Sequence, residues 1–251
     1  DEEQAARHLG RLVRPLSIRR MVSSVAKDLP SITQSRVPIP LDRNDAATHE
    51  ELLASGAPFG AESPLSLLCA HAGDALELSA FRDKPKVEFV LQALDEIFAA
   101  DQKALIFARF TRTLDRFAAV IRELWPSHFI GTLDGRLAVA ERQQLIDSFE
   151  QATLPGCHLL NPDAGGVGLN ITAANHVVHF TPNWNPKVTD QATARAYRRG
   201  QDLPVFVYHL AYADSIAERA LDRGDWRRDL AAAVDHGLLE VTEGGASGAG
   251  G

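Results

Sequence analysis

The chain has 251 residues, is 45% hydrophobic and 24% charged, and carries a formal net charge of −7. This is the composition of a folded globule rather than of a disordered chain. The acidic balance argues against a protein that coats nucleic acid nonspecifically, but it leaves room for a local basic site.

No apolar run approaches the length of a membrane-spanning helix, and no signal peptide opens the chain, so no membrane partner is expected. Cys69 and Cys157 are too few for a disulfide framework, and neither sits in a metal-ligand spacing. A reducing, cytoplasmic compartment follows as the expectation. Arginine outnumbers lysine 21 to five, with much alanine, the bias of a GC-rich and hence bacterial genome. The chain starts at Asp1 without a methionine, so we expect a piece of a longer protein. Residues 236–251, rich in glycine, read as a flexible tail.

In chain order, Glu3 to Lys27 reads mainly as helix, interrupted near Pro15. Ile32 to Leu41 alternates apolar and polar residues, as a strand or an extended arm does. Residues 42–80 read as a helical insert or interlobe connection, with short helices around Glu50–Leu53 and Leu65–Ala70. A clear helix begins at Pro85, since Val87, Val90, Leu91, Leu94, Ile97 and Phe98 keep helical spacing. Asp95 and Glu96 fall on its opposite, solvated face.

From Lys103 strands and helices alternate. Ala104–Phe107 is almost wholly apolar, the mark of a strand buried on both faces. Thr113–Leu124 reads as a helix and His128–Leu133 as a strand. Ala138–Phe149 reads as a helix with Val139, Leu145, Ile146 and Phe149 inward. Strands are expected at Cys157–Leu160, His176–Phe180 and Val205–Leu210, and helices at Asp190–Arg199 and Ser215–Asp222. Such alternation predicts an α/β fold, a mostly parallel sheet with helices on both faces. Ligands of such sheets bind at the carboxyl ends of the strands. His176 and His179 read as core strand residues, and Cys157 as a small buried hydrophobe.

No Gly-Lys pair occurs, so no phosphate loop of the GxxxxGK[ST] type is present. The glycines Gly165, Gly166 and Gly168 do not fit a dinucleotide-binding fingerprint. The helix expected here carries Gln191, Arg195 and Arg198 at i, i+4 and i+7, so the three form one polar ridge with two guanidinium groups facing phosphate.

Five motifs in order carry a resemblance: Leu133-Asp134-Gly135, Glu141-Arg142, Ala164 to Asn170 (AGGVGLN), Trp184-Asn185-Pro186, and Gln191 to Gln201 (QATARAYRRGQ). Together they resemble the second RecA-like lobe of the Swi/Snf family, the ATP-driven double-stranded DNA translocases of helicase superfamily 2. The resemblance covers Lys84 to about Asp222. It implies three regions: residues 1–83 as the end of a first lobe plus an interlobe segment, residues 84–235 as the helicase C-terminal lobe, and the tail.

The resemblance also implies roles. Arg195 and Arg198 match arginine fingers that reach the nucleotide phosphates when two lobes close. Gln191, Gly166, Gly168 and Asn170 match nucleotide-side positions. Arg109, Gly135, Arg136, Asn161 and Trp184 match positions that touch the DNA backbone. ATP and Mg²⁺ would be held mainly by the N-terminal RecA-like lobe of the same protein, with double-stranded DNA as the track. The lobe by itself would then be inactive, and the parent protein would be a nucleoid-associated ATPase.

Several positions depart from the family pattern: Asn161 for Ser or Thr, Thr181 for Asp, Ala194 for an acidic residue, Tyr197 for His, and Arg199 for an apolar residue. Asn161, Thr181 and Ala194 keep open the reading of a noncatalytic docking module, and an RNA-directed helicase lobe of the same superfamily is a second alternative.

Overall fold

The computed structural model describes residues 29–57, 63–71, 77–163, 169–181, 183, 185–219 and 221–222. All of these but Asp222 belong to one compact unit, Asp28–Leu221. The helix expected at residues 3–27 and the tail at 236–251 lie outside the described residues.

Among the described residues, six strands form a single sheet in which every pairing is parallel. They are β1 (Ile32–Ile39), β2 (Lys103–Phe107), β3 (Phe129–Leu133), β4 (Gly156–Leu160), β5 (His176–His179) and β6 (Val205–Tyr212), in the order β1-β6-β5-β2-β4-β3. This is a RecA-like α/β arrangement. Of the two forms open to the first segment, the strand is realised: β1 pairs along its length with β6, from Ile32 opposite Val205 to Ile39 opposite Tyr212.

The pleat of β2 shows why the sheet is buried on both sides. Ala104 and Ile106 enter one apolar cluster, and Leu105 and Phe107 enter the other. The first cluster is covered by α4 (Pro85–Ala99) and α5 (Thr111–Leu124), the second by α6 (Val139–Gln151) and α7 (Pro186–Thr193). Helix α4 keeps the predicted stripe: Val87, Val90, Leu91, Leu94, Ile97 and Phe98 are buried, each side chain contributing roughly 1.5–3 kcal/mol of transfer free energy. Pro85 opens that helix, where a missing N–H costs nothing. Asp95 and Glu96 are exposed, as expected.

Ahead of α4 stand α1 (Arg43–Ala54), α2 (Pro64–His71) and the short α3 (Leu78–Arg82). Asp42 caps α1 by accepting the Asp45 N–H at 2.9 Å. Lys84 holds both carboxylates at 2.8 and 2.7 Å, which keeps the Asp42 carboxyl down at about 2 although burial opposes the shift. After β6, Ser215 caps a last helical stretch, its hydroxyl accepting the N–H groups of Ala217 and Glu218. Ile216 and Leu221 pack, together with buried Ala217, against Cys69 and Ala211.

Two expectations fail. Val139 is 79% exposed rather than inward, because the buried face of α6 holds only Ile146 and Phe149. The helix expected over Asp190–Arg199 instead runs from Pro186 to Thr193. Beyond Thr193 the chain tightens into turns, with the Arg195 N–H on the Ala192 carbonyl and the Ala196 N–H on that of Thr193.

Candidate functional site

Parallel strands bring their carboxyl ends to one edge, and the chain leaves each through a turn held by its neighbours. Ala108, just past β2, donates its N–H to the Leu160 carbonyl at 3.0 Å. Asn161, just past β4, donates its own N–H to Leu133 at 3.2 Å and its amide to the Arg109 carbonyl at 2.8 Å. Its Oδ1 accepts the Asp163 N–H at 2.8 Å. Asn161 thus joins the exits of β2, β3 and β4, which gives this position a local duty beside the DNA contact expected of it. Thr181, after β5, accepts the Arg109 N–H on its hydroxyl at 3.4 Å.

Below Thr181, Asn185 caps α7 by accepting the Lys187 N–H at 3.1 Å, and Pro186 takes the first helical position. That explains the Asn-Pro pair of the motif in local terms. Trp184, Gly165, Gly166 and Gly168 lie outside the described residues.

The single ridge expected of Gln191, Arg195 and Arg198 does not form, because the helix ends before the first arginine. Gln191 and Arg198 are exposed, whereas Arg195 retains only 8% exposure. The Arg195 guanidinium lies 5.5 Å from the centroid of Phe107, and its Nη2 donates to the Pro162 carbonyl at 3.3 Å. Burial lowers its pKa. The Arg195 carbonyl accepts the Ile171 N–H at 2.9 Å. The turn after β4, the segment that follows the glycines, and the arginine segment are therefore joined at Arg195. Asn170, next to Ile171, is exposed.

Gln201 fixes this arrangement, a role that sequence reasoning missed. Its buried Nε2 lies within hydrogen-bonding distance of the carbonyls of Thr172, Ala174 and Ala196, at 3.0, 2.9 and 3.2 Å. Its Oε1 accepts the Leu203 N–H at 3.0 Å. Gly200, with φ +99°, makes the turn before it. A glutamine directly after a glycine at the end of a helical stretch was the available signal.

On the far side of the edge, Gly135 and Arg136 follow β3. The Asp134 carboxylate, 2% exposed, accepts the Arg136 backbone N–H at 2.9 Å and also its guanidinium. Asp115 on α5 takes the other side of the fork, at 2.9 and 2.6 Å. The two carboxylates hold the Arg136 pKa above its ordinary value, and the guanidinium holds that of Asp134 down. Arg136, expected at the DNA backbone, is here committed to two carboxylates. Arg109 is half-buried, and Gly135 is exposed.

His179 and His209 stack 4.9 Å apart across β5 and β6 with rings nearly parallel, and His179 also stacks on Phe107. Cys157 is fully buried.

Residues 86–200 match the helicase conserved C-terminal domain. YwqA of Bacillus subtilis, named as a candidate ATP-dependent helicase/translocase, is 30% identical over 241 residues, covering 87% of this chain and 26% of that protein. The DNA repair and recombination protein RAD54-like of Drosophila virilis is 33% identical over 156 residues, 60% of this chain and 20% of its own length. The chain thus spans about a quarter of the first relative's length and a fifth of the second's. Among solved structures, the C-terminal part of the Fun30 ATPase domain superposes with a TM-score of 0.66 at 20% identity, covering 78% of this chain and 89% of that one.

Proposed function

The chain carries the helicase C-terminal lobe of a Swi/Snf-family ATPase, and from that premise we propose that its carboxyl edge completes a nucleotide site on one side and grips the DNA backbone on the other. The observation that carries this reading is the junction at Arg195, which sets the turn after β4 beside the arginine segment and leaves Gln191 and Arg198 exposed.

The donor set fits the phosphate side of a nucleotide. Arg198 offers an exposed guanidinium and Gln191 an exposed amide, both suited to anionic oxygen. Among the described residues no group of three or more His, Cys, Asp or Glu could hold an ion. A first lobe of the parent protein would supply the lysine loop and the Mg²⁺ ligands. When bound there, Mg·ATP supplies a phosphoanhydride whose cleavage develops negative charge on the phosphoryl oxygens. Arg198 would stabilise that charge as the lobes close, an effect on the order of 10³-fold or more in rate. Arg195 acts differently, holding the segment in place from beneath.

On the DNA side, Gly135 would offer its backbone amide and Arg109 its guanidinium to phosphates, and Arg136 would join them by exchanging its Asp115 partner for a phosphate. Such contacts carry no sequence information, which suits a protein that moves along a duplex.

The test uses the two-lobe parent protein. Arg198→Ala should abolish hydrolysis stimulated by duplex DNA and leave duplex binding nearly intact, whereas this chain alone should hydrolyse no ATP. Unchanged turnover in the variant would remove the finger role. Stimulation by RNA in place of duplex DNA would assign the lobe to an RNA-directed helicase.

A further inference from the structure

Lys86, the second residue of α4, is wholly buried. Its Nζ donates to the carbonyl of Phe180 at 2.5 Å and to that of Cys69 at 3.1 Å. It also lies over two rings, 4.5 Å from the centroid of Phe180 and 5.1 Å from that of Tyr212. Two carbonyl dipoles and two ring faces make a cage for a cation.

The two acceptors belong to different parts of the chain. Phe180 closes β5 and precedes Thr181, which takes the Arg109 N–H. Cys69 sits on α2, in the insert ahead of the lobe. Lys86 itself starts the helix between them in sequence.

We infer that Lys86 is a positioning residue: its side chain ties the carboxyl end of β5 to α2 and holds the two segments in register with each other. The tie does not rest on the lobe's proposed function.

A buried ammonium cannot give up its acceptors cheaply, because an unpaired charge would remain in the core. A neutral amine can. Burial lowers the Lys86 pKa to about 7, so the tie should be tight below neutral pH and loosen above it. Other titratable groups surround the cage. On α2 the Cys69 thiol is pushed up by burial. On β6 the Tyr212 hydroxyl is pushed up by burial and by Asp45 and Asp42. Those two carboxylates pair with Lys84, whose own pKa they raise. None of these is set to change charge near neutrality, and Lys86→Met separates their effects from that of the lysine.

Hydrogen exchange on the whole chain tests the inference. In Lys86→Met, which nearly keeps the side-chain length, amides of α2 and of the end of β5 should exchange about tenfold faster, the loss of one charge-assisted hydrogen bond. Those of β2 and β4 should stay within about twofold. In the wild type, rates corrected for base catalysis should rise at both segments between about pH 6 and 8.5, and that step should vanish in the variant. Exchange that rises evenly across the sheet would reduce Lys86 to a packing residue and overturn the inference. So would a pH step that survives the substitution, or two segments that respond independently. If Lys86→Met fails to fold, the wild-type titration decides: no step at the two segments overturns the tie. No readout involves nucleotide or DNA, so failure here is distinct from failure of the proposed function.

Discussion

The guanidinium of Arg195 reaches across the strand ends to the carbonyl of Pro162, with Nη2 3.3 Å from the oxygen. Arg198, three residues on, is exposed. Two arginines that look equivalent in the sequence therefore stand in different surroundings, and we assign them different duties, one holding the segment and one facing outward. Arg195→Ala should cost about 1–3 kcal/mol, since it unpairs a carbonyl and removes aliphatic packing over Phe107. Arg198→Ala should change stability by less than about 0.5 kcal/mol. Urea unfolding of both variants checks this, and equal losses would contradict the division of duties.

Arg136 is held between Asp134 and Asp115, and the Asp115 pair is half exposed, with side-chain exposures of 56% and 52%. Such a pair contributes little stability, typically under about 1 kcal/mol. It does withhold one guanidinium from any phosphate. Asp115→Asn should therefore tighten binding to duplex DNA and steepen its dependence on log salt by about 0.9, one more phosphate contact. Anisotropy titrations with a labelled duplex at several salt concentrations measure both. An unchanged slope would mean that Arg136 does not meet the backbone.

Much of the architecture was legible because burial writes itself into short periods. The apolar run of β2 and the stripe on α4 are local patterns, and both are realised. Where the sequence misled, the deciding partner was remote. No Gly or Pro interrupts 187–199, so nothing local stops a helix there. The stop comes from tertiary capture, with Ala196 buried in the core and its carbonyl taken by Gln201. Val139 lies in the first turn of its helix, outside the buried face. Arg136 is committed to Asp115, 21 residues away, at a spacing no local period contains. The site residues could be named from motifs, but which arginine points inward depends on where α7 ends.

Two glycines sit where side chains would collide, with different consequences. A Cβ on Gly156 would meet the backbone carbonyl of Phe129, which the β3–β4 pairing fixes. A Cβ on Gly131 would meet the ring of His158, a side chain, although that ring is wedged between Phe129 and Phe149. Gly156→Ala should cost about 3 kcal/mol or more, and Gly131→Ala somewhat less, about 1–3 kcal/mol, as its ring neighbour can shift. Denaturation midpoints rank the two, and a harmless Gly156→Ala would show that the β3–β4 pair can slide apart.

Two buried imidazoles should weaken the fold in mild acid. His158 is fully buried and His176 nearly so, and burial lowers both to about 4 from 6.5. Between those values the unfolded chain holds protons that the folded chain rejects. Their contribution to stability is therefore complete above about pH 6.5 and declines as pH falls toward 4. Each ring accounts for at most about 3 kcal/mol of that loss. In His158→Leu one of the two titrations disappears. Its stability should then fall less steeply from pH 7 to about 4.5 than that of the wild type, even where its stability at neutral pH is lower. Urea unfolding at several pH values gives both slopes. Parallel slopes would place the acid sensitivity in the carboxylates and not in the buried histidines.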